Sequence, residues 1–110
     1  MKSLFSLALS ALIAFQHGAQ IASPATRTWT GEISSSNCGV AYTPGRGAGD
    51  FTRECVDRGS AYVLVVANDR AYTFANQADR NLRTHAGERV TVTGELEGGV
   101  ITASNIEAME

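Results

Sequence analysis

The sequence predicts a small all-β domain, a five-stranded OB-like barrel with one short helix. Three observations support this prediction: five short segments have strand-like patterns, one helix-compatible segment separates the third strand from the fourth, and glycines interrupt two of the strands. The predicted order β-β-β-α-β-β is that of the OB-fold, and strand glycines suit a barrel that must bend its strands. A flat sheet with one helix packed on it remains the structural alternative.

The first predicted strand is "RTWTGEIS", residues 27–34. Its residues alternate, so Trp29, Gly31 and Ile33 share one face while Thr28, Thr30 and Glu32 share the other. A glycine inside a strand indicates curvature or the close approach of another chain segment. A long connection, rich in glycine and containing both cysteines, follows this strand.

A hairpin follows the long connection. The run "AYVLVVA", residues 61–67, is continuously apolar and too short for a helix, so we interpret it as a well-buried strand. The turn residues Asn68 to Arg70 then reverse the chain into "AYTFA", residues 71–75. Tyr72 and Phe74 share one face of this third strand.

The segment from Asn76 to Ala86 is the predicted helix. Ala78, Leu82 and Ala86 recur at every fourth position, and Gly87 stands where a helix C-cap belongs. The next run, "ERVTVTGELE", alternates clearly, with one face formed by Val90, Val92, Gly94 and Leu96. Gly98 and Gly99 then predict a tight turn into the last strand, "VITASNIEA".

The amino-terminal residues have the pattern of a secretory signal peptide. Lys2 precedes an apolar run from Leu4 to Phe15, and small residues follow it. We therefore predict a signal peptide over residues 1–25, cleaved between 19 and 26, and a single OB-like domain over residues 26–110. The run is shorter than the ~20 apolar residues that span a bilayer, although an uncleaved anchor is the alternative. The predicted location is the periplasm or the extracellular space.

The two cysteines, Cys38 and Cys55, predict one disulfide bond. An exported chain meets an oxidising compartment, and no third thiol competes for either partner. Such a small domain buries only about 60–65% of its unfolded surface, so a covalent link is valuable. The chain-entropy description assigns a loop of this size about 3 kcal/mol.

The charge pattern argues against two classes of partner. Lys2 is the only lysine, the net charge is −2, and positive and negative residues are interspersed. A nucleic-acid binder has a basic surface, and a membrane-binding patch has clustered basic residues. We therefore expect no nucleic-acid partner, no membrane span after processing, and a monomer.

The chain contains the segments "WTGEISSSNCG", "ECVDRGSAYVLV", "YTFANQ" and "HAGERVTVTGELEGGVITASNI", in that order. Together they resemble a family of small exported bacterial domains of unknown function with an OB-like fold. The resemblance extends from Trp29 to Ile106 and implies the same fold, without an activity. It also carries over Cys38, Gly39 and Cys55.

The sequence departs from the pattern of that family at three points. Ser35 replaces an aspartate, Phe51 stands where a further cysteine is common, and no histidine lies between Cys38 and Cys55. If the polar residues of those relatives bind a metal or do redox chemistry, part of the set is missing from this chain.

The chain has no recognisable catalytic or metal-binding motif. Cys38, Cys55 and His85 are three separated candidates, whereas a structural zinc site needs about four ligands, usually in close pairs. The segment "GRGAGD", residues 45–50, resembles a phosphate-binding loop but lacks its lysine, and a flexible loop apex is the simpler interpretation. We predict no catalytic residue, no metal and no cofactor.

The function predicted from the sequence is that of a non-enzymatic binding module for a small ligand or an envelope protein. The candidate ligand surface combines strand aromatics with side chains of the long connection; its residues are Trp29, Tyr42, Arg46, Arg53, Tyr62 and Tyr72. In so small a domain most of these aromatics must fill the core. The alternatives are a redox- or metal-linked protein using Cys38 and Cys55, and a structural or stress-associated envelope component.

Overall fold

The structure, a computed structural model, describes residues 25–38 and 47–109. The predicted signal peptide and its cleavage site therefore lie outside the described residues, except for Ala25. The elements are β1 Thr26–Ser35, α1 Ala48–Asp57, β2 Tyr62–Val65, a 3-10 turn Ala67–Asp69, β3 Ala71–Phe74, α2 Arg80–Thr84, β4 Arg89–Glu97 and β5 Val100–Ala108.

The five strands form a barrel in the order β1-β2-β3-β5-β4, with β4 returning to β1. Neighbouring strands are antiparallel except β3 and β5, which run parallel over only two residue pairs. The ring is therefore uneven: the ladders of β4 with β1 and with β5 are long, whereas β2 and β3 share three pairs. The predicted OB-like barrel, with a helix between β3 and β4, is confirmed.

The core fills the barrel interior, and it includes alternate residues that the sequence pattern grouped on one face of β1 and of β4. Val90 and Val92 of β4 are fully buried there, as are Ile33 of β1 and Leu64 of β2. Leu82 and Ala86 belong to the same buried cluster, so α2 and the residues after it close one end of the barrel. Burying these side chains is the main favourable contribution to folding.

Two glycines allow the strands to bend and approach, as their positions predicted. A Cβ atom on Gly31 would lie 2.5 Å from the carbonyl oxygen of Val65, and one on Gly94 would lie 2.2 Å from that of Thr102. Gly94 also adjoins an irregularity in the pairing of β4 with β5. Any larger residue at either position would push neighbouring strands apart.

The helix α2 is shorter than the predicted segment from Asn76 to Ala86. It begins after Asp79, whose side chain accepts a hydrogen bond from the Asn81 amide at 2.9 Å. The preceding Gln77 bonds instead to the strands: its Oε1 accepts from the Tyr62 amide at 2.7 Å, and its Nε2 donates to the Phe74 carbonyl at 2.8 Å. These bonds hold the chain outside the helix until Asp79.

The connection between β1 and β2 contains a helix, α1, that the sequence interpretation missed. Its Thr52 and Cys55 are buried, and Val56 packs against the barrel core. The segment "GRGAGD" was interpreted as a flexible loop apex, but its last three residues are the first turn of α1; residues 45 and 46 lie outside the described part.

The disulfide between Cys38 and Cys55 is confirmed, with an S–S distance of 1.99 Å. It ties the segment after β1 to α1, and the Ser36 and Ser60 hydroxyls lie 3.0 Å apart nearby. Within the described residues, no helix has both the length and the apolar character needed to cross a membrane.

Candidate ligand-binding site at the open end of the barrel

The two ends of the barrel have different covers. At one end, α2 and α1 lie over the barrel and are joined to each other: the Arg83 guanidinium donates to both oxygens of Asp57, at 2.9 and 3.2 Å. Arg53 of α1 also donates to the Arg83 carbonyl at 3.1 Å. We call this the closed end. In the described structure the other end carries no α-helix, only the 3-10 turn Ala67–Asp69, and we call it the open end.

The open end has a rim of half-buried apolar side chains. They come from the first half of β1, the residue after β2, the start of β3, the end of β4 and the middle of β5, and they pack on the core while remaining only partly buried. The members of this apolar rim are Trp29, Val66, Tyr72, Leu96 and Ala103. An apolar surface bordered by polar residues is typical of a binding site.

An aromatic pair forms part of the apolar rim. The ring centroids of Trp29 and Tyr72 lie 6.3 Å apart, with the ring planes inclined at 51°, a separation at which aromatic rings attract each other. Hydrogen bonding to the Tyr72 hydroxyl, followed by electrostatic attraction to it, raises the pKa of Arg70. The pair therefore offers an incoming ligand an apolar surface with a permanent positive charge beside it.

A groove adjoins the apolar rim between β1 and the turn that connects β2 to β3. It has a volume of about 630 Å³ and is open to solvent. Its walls are residues 30–32 of β1, residues 65–69 of the turn, and Arg89. In the turn, Asn68 and Asp69 have φ angles of 65° and 57°, a left-handed conformation that asparagine and aspartate tolerate better than most residues.

Glu32 places a carboxylate in this groove. Partial burial raises its pKa above the ordinary value of 4.5, although the positive charge of Arg89 lowers it somewhat. Arg89 is the cross-strand partner of Glu32 in the β1–β4 ladder. A ligand that covered the groove would desolvate this carboxylate further and so favour its protonated form.

A second cavity, of about 440 Å³, lies on the outer surface of β2 and β3. Its apolar floor is formed by Val63, Val65 and Ala71, and Val65 and Asp69 also belong to the groove. The two depressions therefore share a boundary on the same side of the barrel, next to the turn.

The structure brings two of the six predicted ligand-surface residues together. Trp29 and Tyr72 meet at the open end. Tyr62 is a correction: only 4% of it is exposed, because it lies in the core and its backbone is bonded to Gln77. Arg53 belongs to the closed end, where it also binds Asp50 at 2.8 Å. Tyr42 and Arg46 lie outside the described residues.

The cysteines and the histidine are separated from the open end. Cys38 and Cys55 are bonded to each other, and Cys55 is 6% exposed. The Nδ1 atom of His85, just after α2, lies 3.1 Å from Oε1 of Glu88. Among the described residues, no three histidine, cysteine, aspartate or glutamate side chains lie close enough together to bind a metal ion.

Sequence reasoning missed several residues of the candidate site, among them Glu32, Val66, Arg70 and Leu96. Val66 and Leu96 occupy the same alternate positions as the inward residues of the predicted strands, so the pattern predicts that both are buried in the core. It gives no sign that they remain partly exposed. Arg70 lies in a predicted turn, where a charged residue is ordinary. Only the position of these residues at the uncovered end of the barrel distinguishes them.

Comparison of the chain with models of known protein families, with curated proteins and with solved structures found no match.

Proposed function

We propose that this protein is an exported, non-enzymatic binding module whose recognition surface is the open end of the barrel. The observation that carries the proposal is the apolar rim. Five half-buried side chains lie toward the end of the barrel that no described α-helix covers, and the groove adjoins them. A domain that needed only stability would gain more by covering these side chains, since burial of apolar area is favourable.

The export part of the proposal has two supports. Residues 1–25 follow the pattern of a signal peptide, and Cys38 and Cys55 form a disulfide, which persists in oxidising compartments. We assign the disulfide a structural role, because it joins β1 to α1 at the closed end and lies away from the rim. The proposed resemblance to small exported bacterial domains agrees with both supports.

Trp29 provides a direct assay of this proposal. It is the only tryptophan of the chain and lies in the apolar rim, so its fluorescence reports on the open end. The disulfide-bonded domain is titrated with a defined panel of oligopeptides, oligosaccharides, nucleotides and single-chain amphiphiles. We expect at least one class to give a saturable change in Trp29 emission.

Two variants locate the response. Leu96→Arg places a charge in the apolar rim and should abolish the response, whereas Arg58→Ala changes an exposed residue after α1 and should preserve it. A panel that leaves the Trp29 emission unchanged throughout, with the domain folded and oxidised, would overturn the proposal. So would a response that Leu96→Arg leaves intact.

A further inference from the structure

We propose that the ligand of the open end is an extended peptide segment of another protein, which binds by adding a strand to the free edge of β1. This inference depends on the proposed function and names its ligand class. Strand addition joins a peptide to a sheet through main-chain hydrogen bonds, while alternate side chains of the peptide enter pockets beside the edge.

The backbone bonds of β1 show which of its residues face each neighbouring strand. The Ile33 amide donates to the Glu88 carbonyl at 3.2 Å, so Ile33 faces the β4 side. The backbone N–H and C=O groups of successive residues in an antiparallel strand point to opposite sides. Those of Gly31 and Trp29 therefore also point toward β4. On the opposite side, the Ser36 amide donates to the Ala61 carbonyl at 2.8 Å. The backbone N–H and C=O groups of the even-numbered residues of β1 therefore point toward the β2 side.

The strand β2 is too short to pair with the whole of β1. Pairing of β1 with β4 runs from Thr26 to Glu32, but pairing with β2 begins only at Glu32, opposite Val65. Thr28 and Thr30 therefore direct their amides and carbonyls toward a side where no described strand lies. In the described structure their backbone groups have no hydrogen-bond partner on that side.

The surroundings of this free edge suit a strand. The groove begins at Thr30 and separates the edge from the β2–β3 turn. Side chains of an added strand would alternate: one set would face solvent beside Thr28 and Thr30, and the other would lie over Trp29 and Tyr72. The edge residues carry none of the usual protections against pairing, because positions 28–30 contain neither a charge nor a proline.

These features favour a peptide over other ligands of an apolar surface. A lipid chain or an aromatic metabolite would use Trp29 and Tyr72 but would leave the main-chain groups of Thr28 and Thr30 unused. A peptide strand can contact the two aromatic rings and also form hydrogen bonds with these main-chain groups. The expected partner segment therefore has an extended conformation, apolar side chains at alternate positions, and no proline at the paired positions.

The primary test is amide hydrogen exchange on the wild-type domain. Peptides are selected from a displayed library of random dodecamers, synthesised with blocked ends, and added to the oxidised domain at saturation. In the free protein, the amides of Thr28 and Thr30 should exchange rapidly while that of Trp29, bonded toward β4, is protected. Bound peptide should slow Thr28 and Thr30 by about tenfold or more and leave Trp29 unchanged.

Backbone methylation of the peptide provides the matched control. The amides of a bound strand alternate between the β1 edge and solvent, so methylation at one parity should abolish binding. Methylation at the other parity, with the same composition and side chains, should preserve it. Equal loss at both parities, or at neither, would overturn strand addition.

Variants of the protein test the side-chain contacts. Tyr72→Ala should weaken the binding of the selected peptide by about tenfold, and Tyr72→Phe should retain it because the ring remains. Arg58→Ala should have no effect. Thr30→Pro removes one edge amide that pairs with no described residue, so a folded variant should lose peptide binding.

Three outcomes would count against the inference. If peptides bind but Thr28 and Thr30 exchange as before, the edge is not used. If these amides are already protected and sedimentation shows a dimer, a second copy of the chain occupies the edge. If saccharides or nucleotides change Trp29 emission while no peptide does, the ligand class is wrong although the proposed function stands.

Discussion

The closed and open ends of this barrel are built from the same five strands, yet they differ in what covers them. Leu82 and Ala86 seal the closed end, where α1, α2 and the disulfide lie close together. At the open end Trp29, Tyr72 and Leu96 remain half-buried. We interpret this difference as a division of work: the closed end supplies stability, and the open end retains the apolar surface and backbone groups that the proposed ligand would contact.

The largest expected effect comes from the core that both ends share. Val92 is fully buried in the middle of β4, so Val92→Asp places an unpaired charge inside the barrel and should unfold the domain. Circular dichroism and urea titration measure the loss. The control is Thr93→Asp, on the outer face of the same strand, which should remain folded. A stable Val92→Asp variant would show that Val92 has been assigned to the inner face of β4 wrongly.

A matched pair of truncations compares the ends directly. Leu82→Ala removes a fully buried side chain at the closed end and should lower the free energy of unfolding by about 2–5 kcal/mol. Leu96→Ala removes a half-buried one at the open end and should cost about 1 kcal/mol. Chemical denaturation of both variants gives the two values. Equal losses would contradict the division of work between the ends.

Removal of the disulfide tests the closed end by another route. The variant with both Cys38→Ser and Cys55→Ser should lose about 3 kcal/mol of stability, because the unfolded chain regains the freedom that the link removes. Ligand binding at the open end should persist wherever the variant is folded. The measurements are the denaturation midpoint in oxidising buffer and the Trp29 response. An unchanged midpoint would argue against a stabilising bond.

The smallest expected effect is a difference in pH response between the two ends. The pKa of Glu32 is raised, so its stabilising contribution is full below pH 4.5 and is lost as the pH rises through its folded pKa. Glu32→Gln should therefore be slightly more stable than wild type at pH 7, and this advantage should shrink toward pH 4.5.

Asp57 at the closed end should respond with the opposite sign. Its hydrogen bond to Arg83 lowers its pKa below 3.8, so the stabilisation is present above pH 3.8 and is lost as the pH falls through the folded pKa. Asp57→Asn should consequently be less stable than wild type at pH 7. Urea midpoints of the three proteins from pH 3 to 7 measure both responses. A Glu32→Gln variant that is less stable than wild type at neutral pH would contradict a raised pKa for Glu32.

The strands and the disulfide could be predicted because their sequence signals are local. The alternation at Val90 and Val92 predicts β4, the turn at Asn68 predicts the hairpin, and two cysteines in a chain with a signal-like leader predict one disulfide. The helix α1 was missed because a prediction from local signals fails where those signals are weak. It begins without a side-chain cap and includes Gly49, so its local signals are weak, and contacts with distant segments stabilise it.

By itself, the sequence determined the order of the five strands and the inward faces of β1, β3 and β4, since a period of two residues is a local property of the chain. Only the tertiary structure decided which inward residues reach a surface. Tyr62 and Tyr72 both lie on barrel strands, yet Tyr62 is buried beside Gln77 while Tyr72 remains half-exposed beside Trp29. The reason is that exposure depends on what covers each end, and the covers come from segments far apart in the chain.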